Sequence, residues 1–116
     1  AKLEYGNFSM LFTGDIEAIS ENKIISKYES SVLKSTILKV GHHGSKTSST
    51  EEFIKQINPK ISVIGVGQNN KFGHPNEETL KTLESYGSTV YRTDLCGEIT
   101  IIVNKIGRMK VKTKKY

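Results

Sequence analysis

Residues 35–67 read STILKVGHHGSKTSSTEEFIKQINPKISVIGVG, and this stretch decides the fold class. It opens on Ile37, Leu38 and Val40, an apolar, β-branched run that stops at Gly41. It closes on ISVIGVG, residues 61–67, an apolar run with the length and composition of a buried strand. Between the two, Ser49 followed by Glu52 fits the reciprocal cap of a helix start, and STEEFIKQI then runs to Asn58–Pro59, where proline ends it. Strand, helix and strand in succession are the alternation of an α/β sheet flanked by helices.

The same alternation extends outward. NFSMLFT, residues 7–13, is a short strand that stops at Gly14–Asp15. Ile16, Ile19, Ile24 and Tyr28 then recur at roughly helical spacing. Downstream, Asn76 caps EETLKTLESY, with Leu80 and Leu83 facing inward and Gly87 as the stop. TVYRT, EITIIVN and RMKVKTK close the chain as strands, the last two joined by a tight NKIG turn at 104–107. The expected order is β, helix, β, α, β, α, β, β, β, with no repeat, low-complexity segment or interdomain linker.

At 116 residues this is one domain or part of one, and a start at Ala1 directly before an apolar strand suggests a piece of something longer. The charged fraction of 25% fits a soluble globular chain, and nothing approaches the about 20 consecutive apolar residues of a membrane span. Cys96 is alone, so no internal disulfide forms. The net charge of +5 is unevenly placed. Residues 108–116 hold Arg108, Lys110, Lys112, Lys114 and Lys115 and no acid, which leaves twelve basic and twelve acidic side chains in the other 107 residues. Such a tail attracts phosphate backbones. Lysines alternating with Met109, Val111 and Thr113 equally describe an edge strand protected against aggregation.

The chemistry-bearing residues fall on strand ends. Asp15, His42, His43 and His74 each lie just after a strand or in the loop that follows one, the edge at which open α/β sheets bind ligands. Gly14–Asp15 reads as a turn on its own, but it also holds a carboxylate on a stiff support. Neighbouring His42 and His43 diverge if extended, so one would ligate a metal while the other orients it, meets a second ion or faces substrate. His74, between Gly73 and Pro75, either reaches a ligand at the following helix start or braces its loop. Arg92 would suit a phosphate oxyanion. Jointly, one aspartate and three histidines are oxygen and nitrogen donors of the kind preferred by zinc, manganese or iron.

Four motifs carry a resemblance over nearly the whole chain: LEYGNFSMLFTGDIE, LKVGHHGSKTSS, PKISVIGVGQNNKFGHP and GSTVYRTDLCGEITI. Together they resemble the C-terminal half of a metallo-β-lactamase-fold domain, closest to that of the ComEC family of DNA-uptake proteins. The resemblance implies a fold that is α/β, half of an αββα sandwich, with a mixed sheet and flanking helices over residues 1–116. It implies a metal-dependent phosphodiesterase or nuclease acting on DNA during competence, with a phosphorylcholine-esterase-like hydrolase or a non-catalytic basic DNA-binding module as alternatives. Asp15 matches the metal-bridging aspartate, His42 and His43 a late metal ligand or catalytic imidazole, and His74 a position lining the same cleft. Ser45, Thr47 and Ser48 border that cleft and would bind phosphate.

Two divalent ions, zinc or manganese, are implied for the intact domain. The family's first His-rich Asp-His motif is absent, so weak metal binding or none, and little or no hydrolysis, are expected of this stretch alone. The missing N-terminal half leaves strands such as ISVIGV and EITIIV needing cover, which a homodimer across that sheet face would supply. The full-length protein is expected in the bacterial cell membrane, with this domain soluble and extracytoplasmic.

Overall fold

The computed structural model describes residues 2–5, 8–14, 18–28, 30–41, 49–66, 75–104 and 108–114. Lys2–Tyr5 (β1) and Phe8–Phe12 (β2) form an antiparallel pair at one side of a five-stranded sheet. Ile37–Lys39 (β3), Ile61–Ile64 (β4) and Thr89–Arg92 (β5) follow β2 in parallel, giving the order β1-β2-β3-β4-β5. Between the parallel strands lie Ala18–Lys27 (α1), Ser30–Leu33 (α2), Glu51–Ile57 (α3) and Glu77–Ser85 (α4). The chain is therefore α/β with a mixed sheet and flanking helices, as the alternation predicts.

Strand order explains where those helices go. When each parallel strand is added on the same side of the last, crossovers of the usual right hand all pass over one face. Leu38, Val40, Ile64 and Val66 point to that face and pack against Phe53, Ile54 and Ile57 of α3 and Leu83 of α4, with Ile24 and Ile25 of α1 at the margin. Phe53, Ile54, Ile57 and Leu83 are fully buried, each worth about 1.5–3 kcal/mol of hydrophobic transfer.

The alternate residues of the same strands point the other way and need separate cover. A one-turn helix, Thr93–Cys96 (α5), turns the chain from β5 into Glu98–Val103 (β6), which pairs antiparallel with Met109–Lys114 (β7) as a second, two-stranded sheet. Its inner residues Ile99, Ile101, Val103 and Met109 pack on Phe8, Ile37 and Val63. The expectation that ISVIGV and EITIIV lack cover is thus corrected, because each covers the other. On that face, among the described residues, Leu3, Tyr5 and Phe12 stay exposed, sharing by cross-strand pairing and alternation the side of Phe8 and Met10 beside the β6–β7 hairpin.

Local signals mostly act where the sequence places them. Asn76 Oδ1 accepts from Glu78 N–H at 3.0 Å to start α4, and Gly87 follows its end with φ +80°. Asn58, left-handed at φ 47°, stops α3 ahead of Pro59. The cap of α3 is corrected by one residue: Thr50, not Ser49, accepts from Phe53 N–H at 3.4 Å. Next to that cap, Tyr86 at the end of α4 donates to Glu51 Oε1 at 2.8 Å, and this bond holds the phenol above its usual range. The Asn104 and Arg108 backbones close the β6–β7 connection, and residues 105–107 of the expected turn lie outside the described residues. No helix among the described residues is long and apolar enough to cross a membrane.

Candidate metal centre at the carboxyl edge

The four parallel strands finish on one line. Phe12 is level with Lys39, Lys39 with Val63, and Ile64 with Arg92, so Thr13, Val40, Gly65 and Thr93 all start the exits on a common edge. Asp15, His42, His43, Ser45, Thr47, Ser48 and His74 follow from these exits and lie outside the described residues, whereas Arg92 lies within them. The described residues include the points where those stretches leave and return.

Two of the exits are clasped together. Thr13 is buried and donates from Oγ1 to Lys39 O at 2.8 Å, tying the end of β2 to that of β3. A β-carbon on Gly41 would stand 2.9 Å from Thr13 Oγ1 and 3.1 Å from Gly14 O. Gly14 immediately precedes Asp15, and Gly41 immediately precedes His42. The backbone roots of the carboxylate and of the paired imidazoles are therefore in contact, and glycine at 41 is what lets them close.

The return points of the same two stretches are clasped as well. Glu21, on α1 after Asp15, is only 1% exposed. Its carboxylate accepts from Ser49 N–H at 2.5 Å and from Thr50 N–H at 2.8 Å, where the chain re-enters after residues 42–48. Ser49 turns its N–H inward through a left-handed backbone at φ 58°. Residues 15–20 and 42–48 thus run between the same two fixed contacts, Gly14 with Gly41 and Glu21 with Ser49.

A third link joins β4 to β5. Val66 N–H donates to Thr93 Oγ1 at 2.7 Å, and that hydroxyl donates to Val66 O at 2.8 Å. Val66 is the last described residue before the stretch that carries His74. Thr93→Val keeps the shape but strands both backbone groups of buried Val66, and about 1–3 kcal/mol of stability is expected to be lost in urea unfolding.

Arg92 is already engaged. Its Nε and Nη2 meet Asp94 Oδ1 and Oδ2 at 3.0 and 2.6 Å, a two-pronged pair with the side chains 25% and 12% exposed. A phosphate arriving there would meet a guanidinium oriented and partly neutralised by Asp94. Cys96, half-buried at the end of α5, is a free thiol. Among the described residues, no group of three or more His, Cys, Asp and Glu side chains is placed to hold a metal ion.

Sequence reasoning missed Thr13, Glu21, Thr93 and Lys39. The Lys39 ammonium crosses the end of β4, 3.1 Å from where a β-carbon on Gly65 would stand, and so brings a cation to the edge. Its signal was present, a single charge between apolar Leu38 and Val40 at a strand end. The others carry no local signal, since their partners lie 26 to 29 residues away.

No family model matches the chain, and no solved structure matches it. Curated relatives do. ComE operon protein 3 of Bacillus subtilis is 39% identical over 110 residues, which take in 94% of this chain and 14% of that protein. Competence protein ComA of Neisseria gonorrhoeae is 34% identical over 110 residues, covering 95% of the chain and 15% of the relative. Recombination protein 2 of Haemophilus influenzae is 35% identical over 96 residues, 83% of the chain and 12% of the relative. The chain spans about one seventh of the length of these proteins, and the match takes in all four exits of the carboxyl edge or most of them. Over the stretch it shares with them, the chain belongs to the ComEC-like family of competence proteins.

Proposed function

We propose that the chain is part of a metal-dependent hydrolase domain of the metallo-β-lactamase type, cleaving phosphodiester bonds of DNA during competence. The observation that supports this most directly is the double clasp, Gly14 on Gly41 and Glu21 on Ser49, which ties together the described residues flanking Asp15 and the His42–His43 pair in the sequence. A divalent cation, zinc or manganese, would be held by the Asp15 carboxylate and one of the two imidazoles, a donor set those ions accept. Bound there, such an ion makes a nucleophilic water available near neutral pH and polarises a phosphoryl oxygen. The remaining imidazole and His74 would carry protons to and from the reacting groups. Ser45, Thr47 and Ser48 would donate hydroxyl hydrogen bonds to the phosphate.

Two ions need more donors than one aspartate and three histidines provide. The further ligands would come from an upstream half of the domain, which would also cover Leu3, Tyr5 and Phe12. The DNA strand that is degraded, and a placement of the domain outside the bacterial membrane, belong to the same reading. Hydrolysis assays with Mn²⁺ or Zn²⁺ on the isolated chain and on the full-length protein test it. Little or no turnover is expected from the chain alone, and none from full-length protein carrying Asp15→Ala. Turnover by the chain at the full-length rate, or by the Asp15→Ala protein at the wild-type rate, would refute it.

A further inference from the structure

The hydrolase reading leaves the β6–β7 hairpin with no task beyond covering the sheet. Its outer face is unusual. Lys110, Lys112 and Lys114 occupy three successive outward positions of β7, all exposed, with exposed Arg108 ahead of them. Opposite them on β6 stand Ile102, Thr100 and Glu98, so the face carries one acid against three lysines. The inner face is half-buried and apolar, which fixes the lysines outward by alternation.

Position gives this row a direction. One short helix and Gly97 separate the end of β5 from Glu98, so β6 begins near the carboxyl edge. Lys114 pairs with Glu98 and Lys110 with Ile102, so the row starts near that edge at Lys114 and leads away from it through Lys112 and Lys110. Alternate residues of a strand repeat about every 6.8 Å, so the three lysine positions span roughly 14 Å along the strand. The remaining 107 residues of the chain balance twelve bases with twelve acids, so the whole positive excess lies in this tail. Protection of an edge strand requires a charge, whereas three of the five basic residues of this tail stand on one outward face.

We infer that the outer face of β7 is a rail for the phosphate backbone of a DNA strand, leading it to the carboxyl edge. No aromatic residue lies among the described residues of the hairpin, so the contacts fall on phosphates rather than on stacked bases, and binding is independent of sequence. Thr100 adds a hydroxyl donor at the middle of the row. An anionic membrane surface is less favoured, since among the described residues Ile102 is the single large apolar side chain on that face and a surface-bound element needs an apolar anchor. The inference shares with the hydrolase reading only the polymer, and a binding assay run in chelator is blind to turnover, so each can fail alone.

The test is fluorescence anisotropy of the 116-residue chain with a labelled mixed-sequence DNA strand, titrated at several salt concentrations. Lys110→Gln, Lys112→Gln and Lys114→Gln together are expected to reduce the slope of log Kd against log salt by about 2, at roughly 0.7 per phosphate contact, and to weaken binding about 50-fold near 0.15 M salt. The single Lys112→Gln should remove about a third of that slope change, and the triple Lys→Arg variant should bind as the original does. A control triple of equal charge change on the helix side, Lys23→Gln, Lys55→Gln and Lys81→Gln, should leave the slope unchanged. Equal losses in the two triples would reduce the effect to net charge and overturn the rail. Unchanged binding by the β7 triple would overturn it too, as would binding to anionic vesicles with none to DNA.

Discussion

Glu21→Ala is expected to lower the unfolding free energy by about 3–5 kcal/mol, measured by urea denaturation. The side chain is 1% exposed, and both carboxylate oxygens are in use, one by Ser49 N–H and one by Thr50 N–H. Alanine would leave both donors without their acceptor, Ser49 N–H buried and Thr50 N–H partly so. Each hydrogen bond to a charged group contributes roughly 1.5–3 kcal/mol, and an orphaned buried donor adds its own desolvation cost. Glu21→Gln keeps the volume and one acceptor but turns an NH₂ toward the second donor, so about half of the loss is expected. Amide exchange should quicken first at Ser49 and Thr50, because the ladder hydrogen bonds of the sheet do not pass through Glu21. An alanine variant within about 1 kcal/mol of the original would show that water or another group satisfies Ser49 and Thr50, and the second clasp would be lost as a fixed point.

The pattern of strands and helices was legible because β2, β3 and β4 are apolar runs that stop at or just before a glycine. β3 stops before Gly41, β4 before Gly65, and β2 before Thr13–Gly14. β1 was not legible: Lys2, Leu3, Glu4 and Tyr5 alternate, but four residues are a short run, and Leu3, Glu4 and Tyr5 are all exposed on an edge strand paired on one side. The one-turn α2 and α5 are too short to show a period. The misplaced cap of α3 is instructive, since Ser49 and Thr50 are both hydroxyl residues at the right place. Glu21 decides between them by taking the Ser49 amide and bending its backbone into the left-handed region. That contact spans 28 residues, and no local propensity encodes it. The candidate site follows the same division. Its edge was readable from where Asp15 and the histidines fall, whereas the contacts that draw the exits together depend on tertiary packing. Residue type alone suits Arg92 to a phosphate, whereas its pairing with Asp94 two residues on depends on the turn of α5 that brings the two side chains together.

Gly41→Ala should separate a positional defect from a general loss of stability. The new methyl would stand 2.9 Å from Thr13 Oγ1 and 3.1 Å from Gly14 O. Neither neighbour can yield cheaply. The hydroxyl is committed to Lys39 O inside a buried side chain, and the carbonyl belongs to the backbone at the end of β2. Overpacking of this kind costs about 1–3 kcal/mol, which the fold can survive. The functional effect should be larger, because relief requires Gly14 and Gly41 to part, and the displacement passes straight to Asp15 and His42. A misplacement near 1 Å in a reacting constellation costs on the order of 100-fold in rate, which is the loss expected in the hydrolysis proposed above for the full-length protein. Two other glycines serve as controls. Gly65→Ala meets only the flexible end of Lys39 and should be nearly silent. Gly14→Ala meets nothing within 4 Å but sits at φ +59°, so it carries about 1–2 kcal/mol of backbone strain without forcing the two roots apart. The expected order of activity is therefore Gly65→Ala, then Gly14→Ala, then Gly41→Ala far below. If Gly41→Ala were as active as Gly65→Ala while its altered stability confirmed the clash, the closeness of the two exits would have no bearing on the chemistry, and Asp15 and His42 would not act on a common ion.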